Sequence, residues 1–156
     1  MKYITLLLFL TTYIFAGELK VKANSFDADE KAGISIFSGN VRVTKNSDEL
    51  NASKVVIHVD KKNRPTQYIA TGNVSFVIET EKKDKYRGVA QKVIFNPAKK
   101  EYHFFKSVHL KQLNDKKEII GEEVFLSTVE GKAYAKGESS KPVIMIFDIP
   151  DDKEEK

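Results

Sequence analysis

The residues that could do chemistry in this chain are few and scattered. There are three histidines, His58, His103 and His109, and no cysteine. No histidine has a second histidine or a cysteine at the spacing of a zinc site. His103 and His109 are six residues apart on or near neighbouring strands and could share a face, but as isolated imidazoles they read as strand fillers. No Gly-x-Ser-x-Gly elbow presents a serine to a base, and no glycine loop is built to cradle phosphates. Glu122 and Glu123, adjacent in an extended segment, point to opposite faces and cannot work as an acid–base pair. The stretch "ELNAS" (49–53) places an acidic residue two before an Asn-x-Ser acceptor for N-linked sugar, yet it falls on a bend whose geometry accounts for the same residues. No enzyme, metal or cofactor is expected. Binding would have to come from area and shape.

The segments that would supply such area alternate with a period of two. Val41 and Val43, then Val55, Ile57 and Val59, then Val74, Phe76 and Ile78 each lie on one side of an extended chain. Val93 and Phe95, Val108 and Leu110, and Val124 and Leu126 repeat the pattern. β-branched and aromatic residues dominate, and no window longer than the sixteen N-terminal residues sustains a helical period. Between these segments stand charged runs, "DKKNR" (60–64), "EKKDKYR" (81–87), "NPAKK" (96–100) and "NDKK" (114–117), where hairpin tips would fall. The chain reads as all-β.

The strands also repeat. Gly-Asn-Val occurs at Gly39 and Gly72, and a third copy degrades to Lys106-Ser107-Val108. Ala52, Ala90 and Gly121 each stand three residues before a valine, at Val55, Val93 and Val124. A step of three breaks the period of two, so the apolar face would turn outward unless the strand bends there. A small side chain suits the inside of such a bend. The Gly-Asn pairs, tolerant of positive φ, predict a tight turn or a bulge. Repeats of this length indicate one supersecondary unit used several times.

Residues 1–16, "MKYITLLLFLTTYIFA", carry Lys2, an uncharged run and a terminal small residue. As a helix the run from Tyr3 to Phe15 would reach about 20 Å, against about 30 Å for a bilayer core. That order is expected of a secretory signal cleaved after Ala16. Residues 17–150 are expected to form one domain, and the charged tail 151–156 to be disordered. The net charge of +4 is too mild for a nucleic-acid binder.

Three stretches carry a family resemblance: "FSGNVRV" followed by "LNASKVVI", then "KSVHLKQ" with "IIGEEVFL", and the ending "KPVIMIFDIPDD". Together they resemble the periplasmic lipopolysaccharide-transport proteins of the LptA/OstA type over nearly all of residues 18–150. The resemblance implies a single-domain, coiled, V-shaped antiparallel β-jelly roll with an apolar groove. It also implies a periplasmic bridge of stacked protomers that passes lipopolysaccharide from an inner-membrane extraction complex to an outer-membrane translocon. Two alternatives remain open. One is an LptC-like component whose apolar run stays as an anchor; the other is an envelope scaffold with a filled core.

Alternation assigns Leu19, Val21, Val41, Val43, Ile57, Phe76, Val93 and Phe95 to the groove that would hold lipid A acyl chains. Phe76 and Phe95 are expected at matched places after the bends. The strand "PVIMIFDI" (142–149), with Val143, Ile144, Met145, Ile146 and Phe147, is expected as an assembly edge that adds head-to-tail to "ELKVKA" (18–23) of another copy.

Overall fold

Residues 17–151 are described by the computed structural model. The expected leader and most of the expected charged tail lie outside them. Six long strands form an antiparallel meander: β3 (Ile34–Lys45), β4 (Asp48–Val59), β5 (Pro65–Glu79), β6 (Lys85–Asn96), β7 (Glu101–Gln112) and β8 (Lys117–Ser127). Each margin carries two short strands end to end. β1 (Leu19–Lys22) and β2 (Ser25–Asp29) both pair with β3, and β9 (Lys132–Lys136) and β10 (Ile144–Ile146) both pair with β8. The margins do not meet, so the sheet stays open.

The charged runs form the turns, as their composition demands. Asp60 caps the 60–64 turn, accepting the backbone N–H groups of Lys62 and Arg64 at 2.8 and 3.0 Å. The run 81–87 is longer than its turn, because Lys85, Tyr86 and Arg87 already belong to β6. There alternation continues through the charges, with Tyr86 inward and Lys85 and Arg87 outward.

Every long strand bends in its middle. The register of each neighbouring pair slips near the middle, at Ser38/Val41, Asn51/Lys54, Thr71/Val74, Val89/Lys92 and Phe105/Val108, and β4–β5 slips again at His58/Val59. On β3, β5 and β7 the slip holds two consecutive left-handed residues, Gly39-Asn40 (φ 79°, 45°), Gly72-Asn73 (82°, 44°) and Lys106-Ser107 (63°, 50°). The Gly-Asn pairs are therefore bulges within strands and not hairpin turns. The third pair takes the same conformation without glycine. On β4, β6 and β8 the inward parity changes across the bend, from Ala52 to Val55, Ala90 to Val93 and Gly121 to Val124.

The bends fold the sheet into two facing leaves joined along a row of Val41, Ala52, Val74, Ala90, Val108 and Gly121. The first leaf holds β1, β10 and the halves of the long strands that include Val43, Leu50 and Phe76. The second leaf holds β2, β9 and the halves that include Val55, Val93 and Phe104. Phe76 and Phe104, one from each leaf, stack at 4.7 Å and close the middle of the V.

Candidate functional site

The inner lining follows from strand register. Across the first leaf, paired neighbours run Val21, Val43, Leu50, Phe76, Gly88, Leu110, Ile119 and Met145. Across the second they run Phe26, Phe37, Val55, Ala70, Val93, Phe104, Val124 and Ala135. Two uninterrupted apolar rows therefore cross the whole sheet and face each other, with the bend row as their floor. No charged side chain interrupts either row.

The space between the leaves is open near both margins and packed between them. Toward β1 a cavity of about 120 Å³ is lined by Leu19, Val43, Leu50, Val55, Tyr68, Ala70, Ile78, Val93, Phe95 and Tyr102. Its rim carries Lys45, Asp48 and Glu49. Toward β10 a larger one of about 390 Å³ is lined by Tyr86, Leu110, Ile119, Leu126, Ala133 and Met145, with Lys82, Asp84 and Lys117 at its edge. Between the cavities an ion pair joins Glu81, in the β5–β6 turn, to Lys100, in the β6–β7 turn. These turns lie at the tips of opposite leaves, so the pair crosses the mouth of the V.

An aromatic chain leads from the first cavity into the core. Tyr68 meets Phe95 at 5.9 Å, Phe95 stacks on Tyr102 at 4.3 Å, Tyr102 lies 6.0 Å from Phe104, and Phe104 stacks on Phe76. Burial pushes the Tyr102 hydroxyl well above the usual phenol range. At the rim, Asp48 accepts the Glu79 N–H at 2.8 Å, and burial still raises its carboxyl pKa. The Phe76 ring lies over its cross-strand partner Gly88, where a Cβ would come within 2.5 Å of Cζ.

The expected groove residues are placed as follows. Leu19, Val43, Val93 and Phe95 line the cavity toward β1. Val41, Ile57 and Phe76 are buried in the packed part, and Val21 packs half-buried at the margin. Phe76 and Phe95 occupy opposite leaves instead of matched places, because β5 runs into the first leaf and β6 into the second. The expected groove set lacks Leu50, Tyr68, Tyr102, Phe104 and Leu110, the last of which alternation already places on an apolar face. Stepping by two from Ala52, Val74 and Val108 along their own strands would have found them.

At the C-terminal margin only Ile144–Ile146 are paired, on β8. The expected strand 142–149 is thus three residues long. Pro142 lacks a donor, and Phe147 and Ile149 extend past Glu118 with 56% and 79% exposure. The other side of β10 is open, as is that of β1. His103 sits on the outer face of β7 against Phe125 at 4.7 Å, and on that face His109 Nε2 lies 2.7 Å from Glu118 Oε2 of β8. Asn51 donates to Glu49 at 3.0 Å, and Ser53 Oγ bonds the Gly72 carbonyl at 3.2 Å, so the sugar-acceptor residues serve the β4–β5 bend.

The described residues thus form an unclosed, folded-over sheet whose interior is apolar from margin to margin. The chain belongs to the family of LptA/(LptD N-terminal domain) LPS transport proteins, whose model matches residues 20–132. Nineteen solved chains match it in structure. Among them is LptH from Pseudomonas aeruginosa, the LptA homologous periplasmic component of the conserved lipopolysaccharide transport device. It superimposes with a TM-score of 0.73 at 17% identity, covering 85% of this chain and 96% of that one, and the likeness establishes the shared jelly-roll fold. No curated protein matches the sequence.

Proposed function

We propose that this chain is a periplasmic bridge protein that carries lipopolysaccharide from the inner to the outer membrane, its acyl chains held between the two leaves. The observation that carries this reading is the pair of unbroken apolar rows running from β1 and β2 to β9 and β10. Each methylene kept from water is worth about 0.8 kcal/mol, so several acyl chains need a continuous apolar path. Rows ending at open margins supply one that a neighbour can extend. Membership of the family supports the lipopolysaccharide as cargo. In this reading residues 1–16 are the export leader. The neighbours are further copies, the inner-membrane extraction complex and the outer-membrane translocon, joined through Val143–Phe147 and the β1 margin. The protein moves lipid without chemistry of its own.

The test is photo-crosslinking in cells. A benzophenone side chain at Phe95, inside the cavity, should label with lipopolysaccharide, and one at Ile94, on the outer face of the same strand, should not. The pair Phe76 and Ser75 repeats the comparison deeper in the molecule. Equal labelling from inward and outward positions would overturn the groove.

A further inference from the structure

The assembly reading says that copies stack head-to-tail, but backbone edges alone do not say why head should meet tail. We propose that the second leaf carries a charge code for polarity. In it β9, with Lys132 and Lys136, is built to add to β2, with Asp27 and Asp29, of a second copy of this chain. The inference rests on the head-to-tail reading and deepens it.

The two margins are opposite in sign on the same face. Along β9 the inward residues are Ala133 and Ala135, paired to Leu126 and Val124, so Lys132, Tyr134 and Lys136 face outward. Along β2 Phe26 packs on the inward Phe37 at 4.9 Å, which turns Asp27 and Asp29 outward. β9 holds no acidic residue and β2 no basic one. Asp27 and Lys136 have no ion-pair partner among the described residues. The other two are lightly engaged: Asp29 accepts the Ala32 N–H at 3.0 Å, and Lys132 lies 3.1 Å from Glu130.

Strand direction permits the junction. β9 is antiparallel to β8 and β2 is antiparallel to β3, so placing β2 of the next copy beside β9 continues the up-and-down alternation unbroken. Continuing the register that pairs Phe125 with Tyr134 and Asp27 with Ile36 sets Lys132 opposite Asp29 and Tyr134 opposite Asp27. The same register brings Ala135 to Phe26, which is 61% exposed in the single chain, and so extends the inner row. Like margins are rejected. β9 against β9 opposes lysines, β2 against β2 opposes aspartates, and directly opposed like charges destabilise a strand pair. The first leaf has no such code, since β10 is wholly apolar.

Charge reversal tests this on the full chain purified with its own leader processed as in the cell. Asp27→Lys/Asp29→Lys makes both margins cationic, and Lys132→Asp/Lys136→Asp makes both anionic. Light scattering should show each variant alone needing roughly tenfold more protein to assemble. An equimolar mixture should assemble like the unaltered chain, because each variant's margins then complement the other's. Circular dichroism checks folding, and Asp27→Lys alone replaces the first variant if the Asp29 turn fails. Variants that assemble unaided like the parent, or folded variants whose mixture does not recover, overturn the code. A chain ending at Lys141 separates the two readings. If it loses assembly while the reversed variants keep it, head-to-tail stacking stands without the code. If the unaltered chain never assembles, both fall.

Discussion

Gly88 shows what a single residue decides in the interior. It has an ordinary backbone conformation, and its lack of a side chain makes room for the Phe76 ring that stacks on Phe104. Gly88→Val would drive a side chain into Phe76 Cζ and the His109 carbonyl, both within 2.6 Å of the new Cβ. Overpacking of that kind costs about 1–3 kcal/mol, which urea denaturation would register. An unchanged midpoint would mean that the two leaves part freely at this place. At the surface, hydrogen bonds hold several carboxyls low: Lys111 and then His109 on Glu118, Lys83 on Glu79, Asn51 and then Arg42 on Glu49, and the Arg64 N–H on Asp60. A depressed carboxylate stabilises the fold above its unfolded pKa of about 4, and that contribution is lost as pH falls through the folded value. Asp48 has the opposite sign, because burial raises its pKa and its charge costs stability at neutral pH. The midpoint should therefore hold steady above about pH 5 and fall below about pH 4. Asp48→Asn, which keeps an acceptor for the Glu79 N–H, should leave the neutral-pH midpoint equal or higher. A clear drop would assign the Asp48 charge a partner at the rim. Alternation made Val41, Val43, Val93 and Phe95 legible as inward. Gly88 was not, because its role depends on a ring supplied by a neighbouring strand.

At the scale of the strand, the repeat was the most informative feature of the sequence. The step of three from Ala52 to Val55, Ala90 to Val93 and Gly121 to Val124 announced the bends. Their partners on β3, β5 and β7 were legible as three copies, the third at Lys106-Ser107, but positive φ was predictable only where glycine was kept. Lys106-Ser107 carries the same two positive φ values with side chains that disfavour them. Left-handed residues other than glycine cost about 1–2 kcal/mol, partly offset by the chain entropy that glycine loses. Lys106→Gly/Ser107→Asn should thus stabilise the chain by roughly 0.5–1 kcal/mol in thermal or urea unfolding. Destabilisation would mean that the Lys106 and Ser107 side chains contribute to the bend. The length of the last strand was illegible for a different reason. "PVIMIFDI" has strand composition throughout, but only Ile144–Ile146 pair with β8, from Ile120 to Glu118, and no periodicity reports where pairing with a neighbour stops.

For the whole molecule, folding the sheet over its bend row turns ten strands into a V whose inside is apolar from margin to margin. Its interior is filled at the Phe76–Phe104 contact and hollow toward both margins, with Glu81–Lys100 across the mouth. Sequence showed which residues face inward within a strand, but not that two half-strands of one sheet would face each other, since that depends on all the bends lying in register. Passage of lipid between the leaves requires the mouth to open. The chain has no cysteine, so Glu81→Cys/Lys100→Cys gives one defined pair. A short cleavable bis-maleimide would link these two positions and hold the leaves together. The decisive measurement is lipid A binding to the purified protein with the link intact and then cleaved. Carriage between the leaves predicts that linking weakens binding by at least about tenfold and that cleavage restores it. Equal binding in both states, or none in either, would contradict it.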